Sequence, residues 1–566
     1  MSELDLVIRG GTVIDGTGAP QRTSDVAVSG GFITEVGRVG GRGRREIDAA
    51  GALVTPGFVD IHTHYDGQAT WSNRMAPSCY HGVTTVIMGN CGVGFAPVRP
   101  TDHDLLIELM EGVEDIPGAA LHEGISWDWE SFPEYLDYLD RRRYDMDIGA
   151  QLPHGALRVY VMGQRGADRE PATADDIARM RALTAEAINA GALGFSSSRT
   201  LNHRSSRGEP TPSLKAELDE LLGIALGLKD AGRGVMEMIS DFEDLQDEFG
   251  MLRAMTEASG RPMSISLAQG LSPNGWRKIL GLIESASDGG LVMRGQVAPR
   301  PIGILLGLTT TLNPFSTRPS YQEVARLPLA ERIEALKDPA RKARILAEEP
   351  SRGFAGLFKR MDGGGKLWVL TDPPDYEPAP ENSIAARASA ADRDPWDLAY
   401  ELMLEQGGRT LFYTPFANYA DNNLDCCREM LLHKNTVPGL GDGGAHVGTI
   451  CDASFVTTLL THWGRDRTRG ERIDLPTLVK RQTHDTARAV DLHDRGVLAA
   501  GMKADVNVID FANLRNRAPE IVHDLPAGGA RLEQKTEGFL ATVVSGEVTY
   551  ERGEPTDALP GRLIRG

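Results

Sequence analysis

Residues 54–64, VTPGFVDIHTH, run from a Pro-Gly turn through an apolar stretch into two histidines spaced two apart. Such a stretch reads as a buried strand. Along a strand, residues i and i+2 project to the same side, so His62 and His64 share a face. Working outward, TTVIMGNCG (84–92) reads as a second strand ending in Cys91. Thr173 with Asp176 resembles a capping box, and Ile177, Met180, Ala187 and Ile188 form one helical face that stops at Gly191. GALGFSSS (191–198), GVMEMIS (234–240) and RPMSISLAQ (261–269) are further strands. Between the last two lies a helix with Phe242, Leu245, Phe249, Leu252 and Met255 on one side, Asp241 as its expected cap and Gly260 as its stop. Repeated strand–helix units predict a parallel sheet closed into a (β/α)8 TIM barrel. Both imidazoles then face the barrel mouth at a C-terminal strand end.

The flanks read differently. LVIRGGTVIDG (6–16) and DVAVSGGFITEVG (25–37) are paired apolar runs around Gly-Gly turns, which is a hairpin signal. ADVNVIDF (504–511) and GFLATVVSGEVTYERGEP (538–555) repeat the pattern at the other end. Neither piece alone buries much core. The expectation is therefore one small β-sandwich domain built from residues 1–56 and 491–566, beside a barrel over 57–490. An insertion, a candidate lid, is expected around 321–400, with a charged helix in ALKDPARKARILAEE (335–349) and a lone strand in LWVLTD (367–372).

Composition narrows the function. The 566 residues are 41% hydrophobic and 25% charged, an ordinary globular balance. A net charge of -19 opposes a nucleic-acid partner, whose phosphates need a basic surface. Five cysteines in so long a chain do not make a disulfide framework. There is no secretory leader pattern and no apolar run of ~18 residues, so the expected place is the cytoplasm, with no membrane partner.

Two neutral imidazoles on one face suit zinc or a similar divalent ion. The bland alternative for His62 and His64 is a polar loop, and the strand context argues against it. In GDGGAHVG (441–448), Asp442 follows a short apolar stretch in a glycine-rich turn. It is either a turn aspartate or a metal-binding carboxylate that takes a proton from water and passes it to a leaving nitrogen. His446 is placed to orient substrate or stabilise an oxyanion. Cys91 is either inert core or a thiolate ligand at the mouth. SRTLNHRSSRGEP (198–210) brings Arg199, His203 and Arg204 into one loop, either solvated or recognising an anion. Arg158 and Arg300 are further cations for a substrate carboxylate, Arg300 at the expected end of a seventh strand.

The blocks PGFVDIHTHYD, GVTTVIMGNCG, HGALRVYVMG, AGALGFSSS, GDGGAH and GMKADVNVID, in this order over nearly the whole chain, resemble the amidohydrolase superfamily and its D-aminoacylase (N-acyl-D-amino-acid deacylase) branch. The resemblance implies zinc-dependent hydrolysis of N-acylated D-amino acids on a distorted barrel with a composite β-sandwich. It implies His62, His64 and Cys91 as metal ligands, Asp442 as general acid/base, and His154 of HGALR near the mouth, where His154 or His446 is expected to stabilise the tetrahedral oxyanion. Two departures stand out. At the fifth strand the family's histidine block is replaced by VMEMIS, with Glu237 as nearest substitute. At the sixth, ISLAQ places Leu267 near the histidine position and Gln269 near a lysine that the family uses for carboxylate binding. Leucine cannot ligate a metal, so one zinc is expected rather than two, manganese or another divalent ion being compatible; a histidine from 202–206 is a candidate replacement ligand. The expected activity is hydrolysis of a small linear amide, an N-acyl-(D-)amino acid. The alternatives are ring opening of a cyclic amide, disfavoured by the lack of a lysine placed for carboxylation, and a non-catalytic binding protein derived from such an enzyme. A homo-oligomer is compatible with this class.

Overall fold

Eight strands form the central parallel sheet in chain order. They are Phe58–Asp60, Val83–Met88, Asp147–Pro153, Gly194–Arg199, Val235–Ser240, Met263–Ser266, Met293–Val297 and Thr436–Pro438. The computed structural model describes residues 4–270, 272–349 and 361–566. The ring closes at its C-terminal end by a parallel bridge between Thr63 and Gly443. There the Asp442 N–H donates to His62 O (3.0 Å) and the His64 N–H to Gly443 O (2.8 Å). Closure therefore seats the two histidines and the aspartate side by side. The first three barrel strands are buried along their whole length, as expected for parallel strands covered on both faces.

The helices around the barrel start and stop where local chemistry dictates. Ala174–Ala190 carries the full Thr173/Asp176 capping box and ends at Gly191, whose φ of 117° is left-handed. Leu245–Ser259 buries Phe249, Leu252 and Met255 and ends at Gly260. Its cap is Asp244, not Asp241 as expected, and Phe242 lies outside the helix. Asp241 instead accepts from Thr200 Oγ1 and the Leu201 N–H, holding the loop after strand four.

The chain ends meet in one nine-stranded sheet. Leu53–Pro56 lies between Leu4–Val13 and Val506–Ile509, so the first and last segments are hydrogen-bonded neighbours. Leu6, Ile8, Val26, Val54, Val506 and Val543 share its core.

The segment between barrel strands seven and eight is larger than the 321–400 insertion read from the sequence. It includes an antiparallel sheet of Ile302–Leu306, Phe412–Ala417 and Trp368–Val369. Leu329–Leu336, Pro339–Ala347 and Pro395–Gly408 pack beside it, with Leu306, Phe315, Leu336, Tyr400, Met403 and Phe412 in a core of their own. The charged helix is thus two helices, divided at Asp338-Pro339, because proline cannot continue the first and Asp338 caps the second. Residues 350–360 of the expected insertion lie outside the described residues. No helix among the described residues is long and apolar enough to cross a membrane.

Candidate metal centre

His62 and His64 leave the first barrel strand into the mouth and are almost fully buried, at 1% and 2% exposure. Each ring is oriented from behind. His62 Nδ1 lies 2.7 Å from Gln296 Oε1 on strand seven. An amide oxygen only accepts, so Nδ1 carries the proton and Nε2 presents its lone pair. That Nε2 is 3.3 Å from Cys91 Sγ and 3.4 Å from Asp442 Oδ1. His64 Nδ1 faces Glu114 Oε1 at 3.2 Å, and its Nε2 is 3.7 Å from the same Asp442 oxygen. Donor atoms of His62, His64 and Cys91 lie within 4.8 Å of one another.

Cys91 reaches this point because the GNCG turn is sharply bent. Gly89, Cys91 and Gly92 have φ of 79°, 55° and 69°, the left-handed region where glycine is unstrained. A Cβ on Gly89 would sit 2.3 Å from Gln151 O. Asn90 braces the turn through Thr63 O and Ile87 O, and the Cys91 N–H donates to Glu237 Oε2 (2.9 Å). Burial, with the charges of Glu237, Glu114 and Asp442, pushes the Cys91 thiol well up. A divalent cation reverses that preference, since it binds the thiolate.

Asp442 has φ of 47° in a glycine-rich loop, a conformation aspartate tolerates. Burial opposes its charge, but the close approach of His64, at 3.7 Å, and the fields of His62, His64 and His446 outweigh burial and hold its carboxyl well below the usual range. Gly441 is needed here, because a Cβ would meet Asp60 Oδ2 at 2.4 Å. Burial lowers the His64 pKa to about 4, against the pull of Asp442, so the ring is neutral at pH 7. Two nitrogens, one sulfur and a carboxylate oxygen around one point form a donor set suited to zinc. Both Glu114 oxygens and His64 Nδ1 are buried without a well-aligned hydrogen bond. Such orphaned groups are costly unless a charge beyond the ring polarises it toward the carboxylate. The residues present therefore fit a divalent cation.

The remaining candidates divide. His446 is half-buried, with Nε2 3.6 Å from Glu114 Oε2. His203 Nδ1 is 2.9 Å from Ser198 Oγ. Burial, with the fields of His446 and His64, pushes the His203 pKa to about 3, so this ring belongs to the same electrostatic neighbourhood. Arg199 gives Nη1 to Ala216 O (2.7 Å) and keeps a buried, unpartnered Nε. Glu237 lies beneath Cys91, with Oε1 3.4 Å from Ser266 Oγ, and faces the metal ligands rather than a substrate space.

Four expectations are corrected by what the side chains touch. His154 is fully enclosed, with Nδ1 on Ser197 Oγ (2.7 Å) and Nε2 on Glu220 Oε1 (2.9 Å), leaving no nitrogen for an oxyanion. Arg158 is buried against Glu220 (2.9 Å) and the carbonyls of Gly166, Pro212 and Glu170. Arg300 pairs with Asp452 (3.1 Å) and stacks on Tyr376 and Phe455. Gln269 ties strand six to the insertion through Asp421 Oδ2 (2.8 Å) and the Ala420 N–H (3.0 Å). Leu267 is buried against Gly295, so an apolar group occupies the place of a ligand.

Glu114 and Gln296 were not singled out from the sequence. Glu114 carried a signal: in the helix His103–Glu114 it falls eight residues after Leu106, on the stripe of Leu106, Met110 and Val113. A carboxylate on an apolar stripe needs a partner, and here it faces two histidines.

A family model described as "Amidohydrolase family" matches residues 45–550. An N-acyl-D-glutamate deacylase of Alcaligenes xylosoxydans xylosoxydans is 26% identical over 573 residues, covering 100% of this chain and 97% of that protein. A D-aminoacylase of the same organism is 35% identical over 193 residues, 34% of this chain and 37% of the relative. Among solved structures, an N-acyl-D-glutamate deacylase from Bordetella bronchiseptica complexed with zinc and a phosphonate inhibitor superposes with a TM-score of 0.65 at 22% identity, covering 100% of both chains. A D-aminoacylase crystal structure gives a TM-score of 0.64 at 23% identity, again covering 100% of both. At these identities the structural likeness speaks for the fold.

Proposed function

We propose, from the premise that this chain belongs to the amidohydrolase family, that it removes the acyl group from linear N-acyl amino acids, those of D configuration first among them. The coarser statement needs no proposal: the chain is a metal-dependent hydrolase of carbon–nitrogen bonds other than peptide bonds. The observation that carries the finer reading is the convergence of His62 Nε2, His64 Nε2, Cys91 Sγ and Asp442 Oδ1 at the barrel mouth. The named activities of the relatives support the acyl amino acid, and the D configuration with it.

These four residues would hold one divalent ion, zinc first, which when bound polarises the substrate carbonyl and acidifies water at neutral pH. Leu267 leaves no ligand at the sixth strand, which supports one ion rather than two. Gln296 and Glu114 fix the two imidazoles from behind, so the ligand nitrogens are pre-aimed. Asp442, kept ionised, takes the proton from the attacking water and delivers it to the departing amine nitrogen. His446, whose Nε2 lies 3.6 Å from Glu114 Oε2, is the group we assign to donate to the developing oxyanion. Arg199, with its unpartnered Nε, and His203 are the groups we assign to the substrate carboxylate.

The test is a panel of N-acyl-D-amino acids, N-acyl-L-amino acids and cyclic amides against the metal-loaded protein and Asp442→Asn. Turnover of the D series, lost in the variant, supports the reading. Preference for a cyclic amide, or equal turnover by both proteins, overturns it.

A further inference from the structure

A cavity of about 560 Å³ opens beside the starts of barrel strands seven and eight, the end remote from the metal ligands. Its lining holds Arg294, Lys434, Lys480, Arg481 and Arg488 against a single carboxylate, Asp485. On a chain of net charge -19 such a basic concavity is unexpected. Asp485 is already shared by Lys480 (2.5 Å), Arg481 (3.7 Å) and His484 (2.9 Å). Lys434 is exposed and pairs outside the lining with Glu284 (3.2 Å) and Asp288 (3.3 Å). Arg481 otherwise bonds the carbonyls of Thr436 and His433, both at 2.6 Å, and Arg488 those of Leu492 and His493. Backbone carbonyls satisfy hydrogens but supply no full counter-charge.

Arg294 is the decisive residue. It sits on the seventh strand, half-buried, and among the described residues its side chain makes no hydrogen bond and no ion pair; its attraction is to Asp485, which Lys480 and Arg481 already hold. A guanidinium stays charged at any accessible pH, so it cannot escape burial by losing its proton. Its nitrogens reach the solvent of the concavity, and a fork of open donors among further cations is an arrangement that binds an oxyanion. We infer that this cavity is a binding site for a small organic polyanion bearing phosphate or several carboxylates, separate from the catalytic centre. Arg294 stands two residues before Gln296 on the same strand, and thus on the same face as the residue that orients His62. The site is therefore connected to the metal centre through one strand, which suits a regulatory ligand.

Isothermal titration of the metal-loaded protein with pyrophosphate, and separately with succinate, at ionic strength matched by chloride, tests this. The two arms distinguish phosphate from carboxylate ligands. Wild type should show a saturable component that weakens at least tenfold in Arg294→Gln and severalfold in Lys434→Gln. Protein stripped of its metal should retain it, which separates this site from anion binding at the catalytic metal. Arg294→Lys serves as a second variant that keeps the charge and should retain part of the affinity. The inference is overturned if Arg294→Gln binds both anions like wild type, if the bound component disappears when the metal is removed, or if wild type shows no saturable binding beyond chloride.

Discussion

Replacing Gln296 by leucine leaves a side chain of similar size and removes the acceptor for His62 Nδ1. In the structure that hydrogen bond is 2.7 Å long, and Gln296 is 2% exposed, so water does not replace it. A buried N–H left without a partner costs roughly 1–3 kcal/mol. His62 can avoid this by moving its proton to Nε2, but Nε2 is the nitrogen aimed at Cys91 and Asp442. Either outcome taxes metal binding. Loss of the residue that orients a ligand histidine typically lowers metal affinity about 10–100-fold. Chelator competition with purified protein measures this directly, with circular dichroism to establish that the fold is retained. Gln296→Glu, which keeps an acceptor at the same place, should bind metal at least as tightly as wild type. Equal metal affinity in Gln296→Leu and wild type would refute the assignment of Nε2 as the ligand atom.

Three further outcomes follow from the same geometry. Asp442→Asn should lower kcat by about 10²–10⁴-fold while the protein keeps metal on His62, His64 and Cys91, read by steady-state kinetics beside metal analysis. Arg158→Met should cost about 3 kcal/mol of stability by leaving the buried Glu220 with His154 as its remaining partner, yet leave KM unchanged in the folded fraction, read by urea unfolding and kinetics. Glu377 resists burial through His462, at 3.0 Å, and Arg467, which lower its pKa from 4.5 to about 2. Because the folded value is the lower one, its contribution of at most about 3 kcal/mol is present above pH ~4.5 and lost as pH falls toward 2. Glu377→Gln should therefore flatten the acid limb of the stability curve, measured by unfolding between pH 6 and 3.

The barrel was legible wherever a strand was apolar and ended in a special turn. VTPGFVDIHTH, TTVIMGNCG and GALGFSSS each gave a strand of the sheet, since parallel strands buried on both faces are written as continuous apolar runs. The third strand, Asp147–Pro153, was missed: it begins at a buried aspartate held by Arg495 (2.7 Å) and Lys503 (2.9 Å), partners about 350 residues away that no local pattern reveals. The insertion's limits were misplaced for a similar reason. Ile302–Leu306 and Phe412–Ala417 pair across more than a hundred residues, and each alone looks like one more barrel strand.

At the site, the HxH spacing, the GNCG turn and GDGGAH pointed to residues that lie together. Charge alone misled elsewhere. Arg158 and Arg300 are cations in suggestive blocks, but each is spent on a buried carboxylate, and sequence does not say which way a guanidinium faces. His154 is likewise occupied at both nitrogens. The groups that aim the metal ligands, Gln296 and Glu114, come from strand seven and a helix after strand two, and become neighbours of the histidines only when the ring closes.

Cobalt substitution tests the central claim most directly. Protein stripped of metal and titrated with Co(II) should take up about one tightly held ion per chain and develop a thiolate-to-cobalt charge-transfer band in the near ultraviolet. That band should vanish in Cys91→Ser while the weaker visible ligand-field bands of the ion, still held by the two imidazoles, persist. A chain that binds no stoichiometric cobalt, or one whose spectrum is the same with and without Cys91, would contradict a metal centre built from His62, His64 and Cys91.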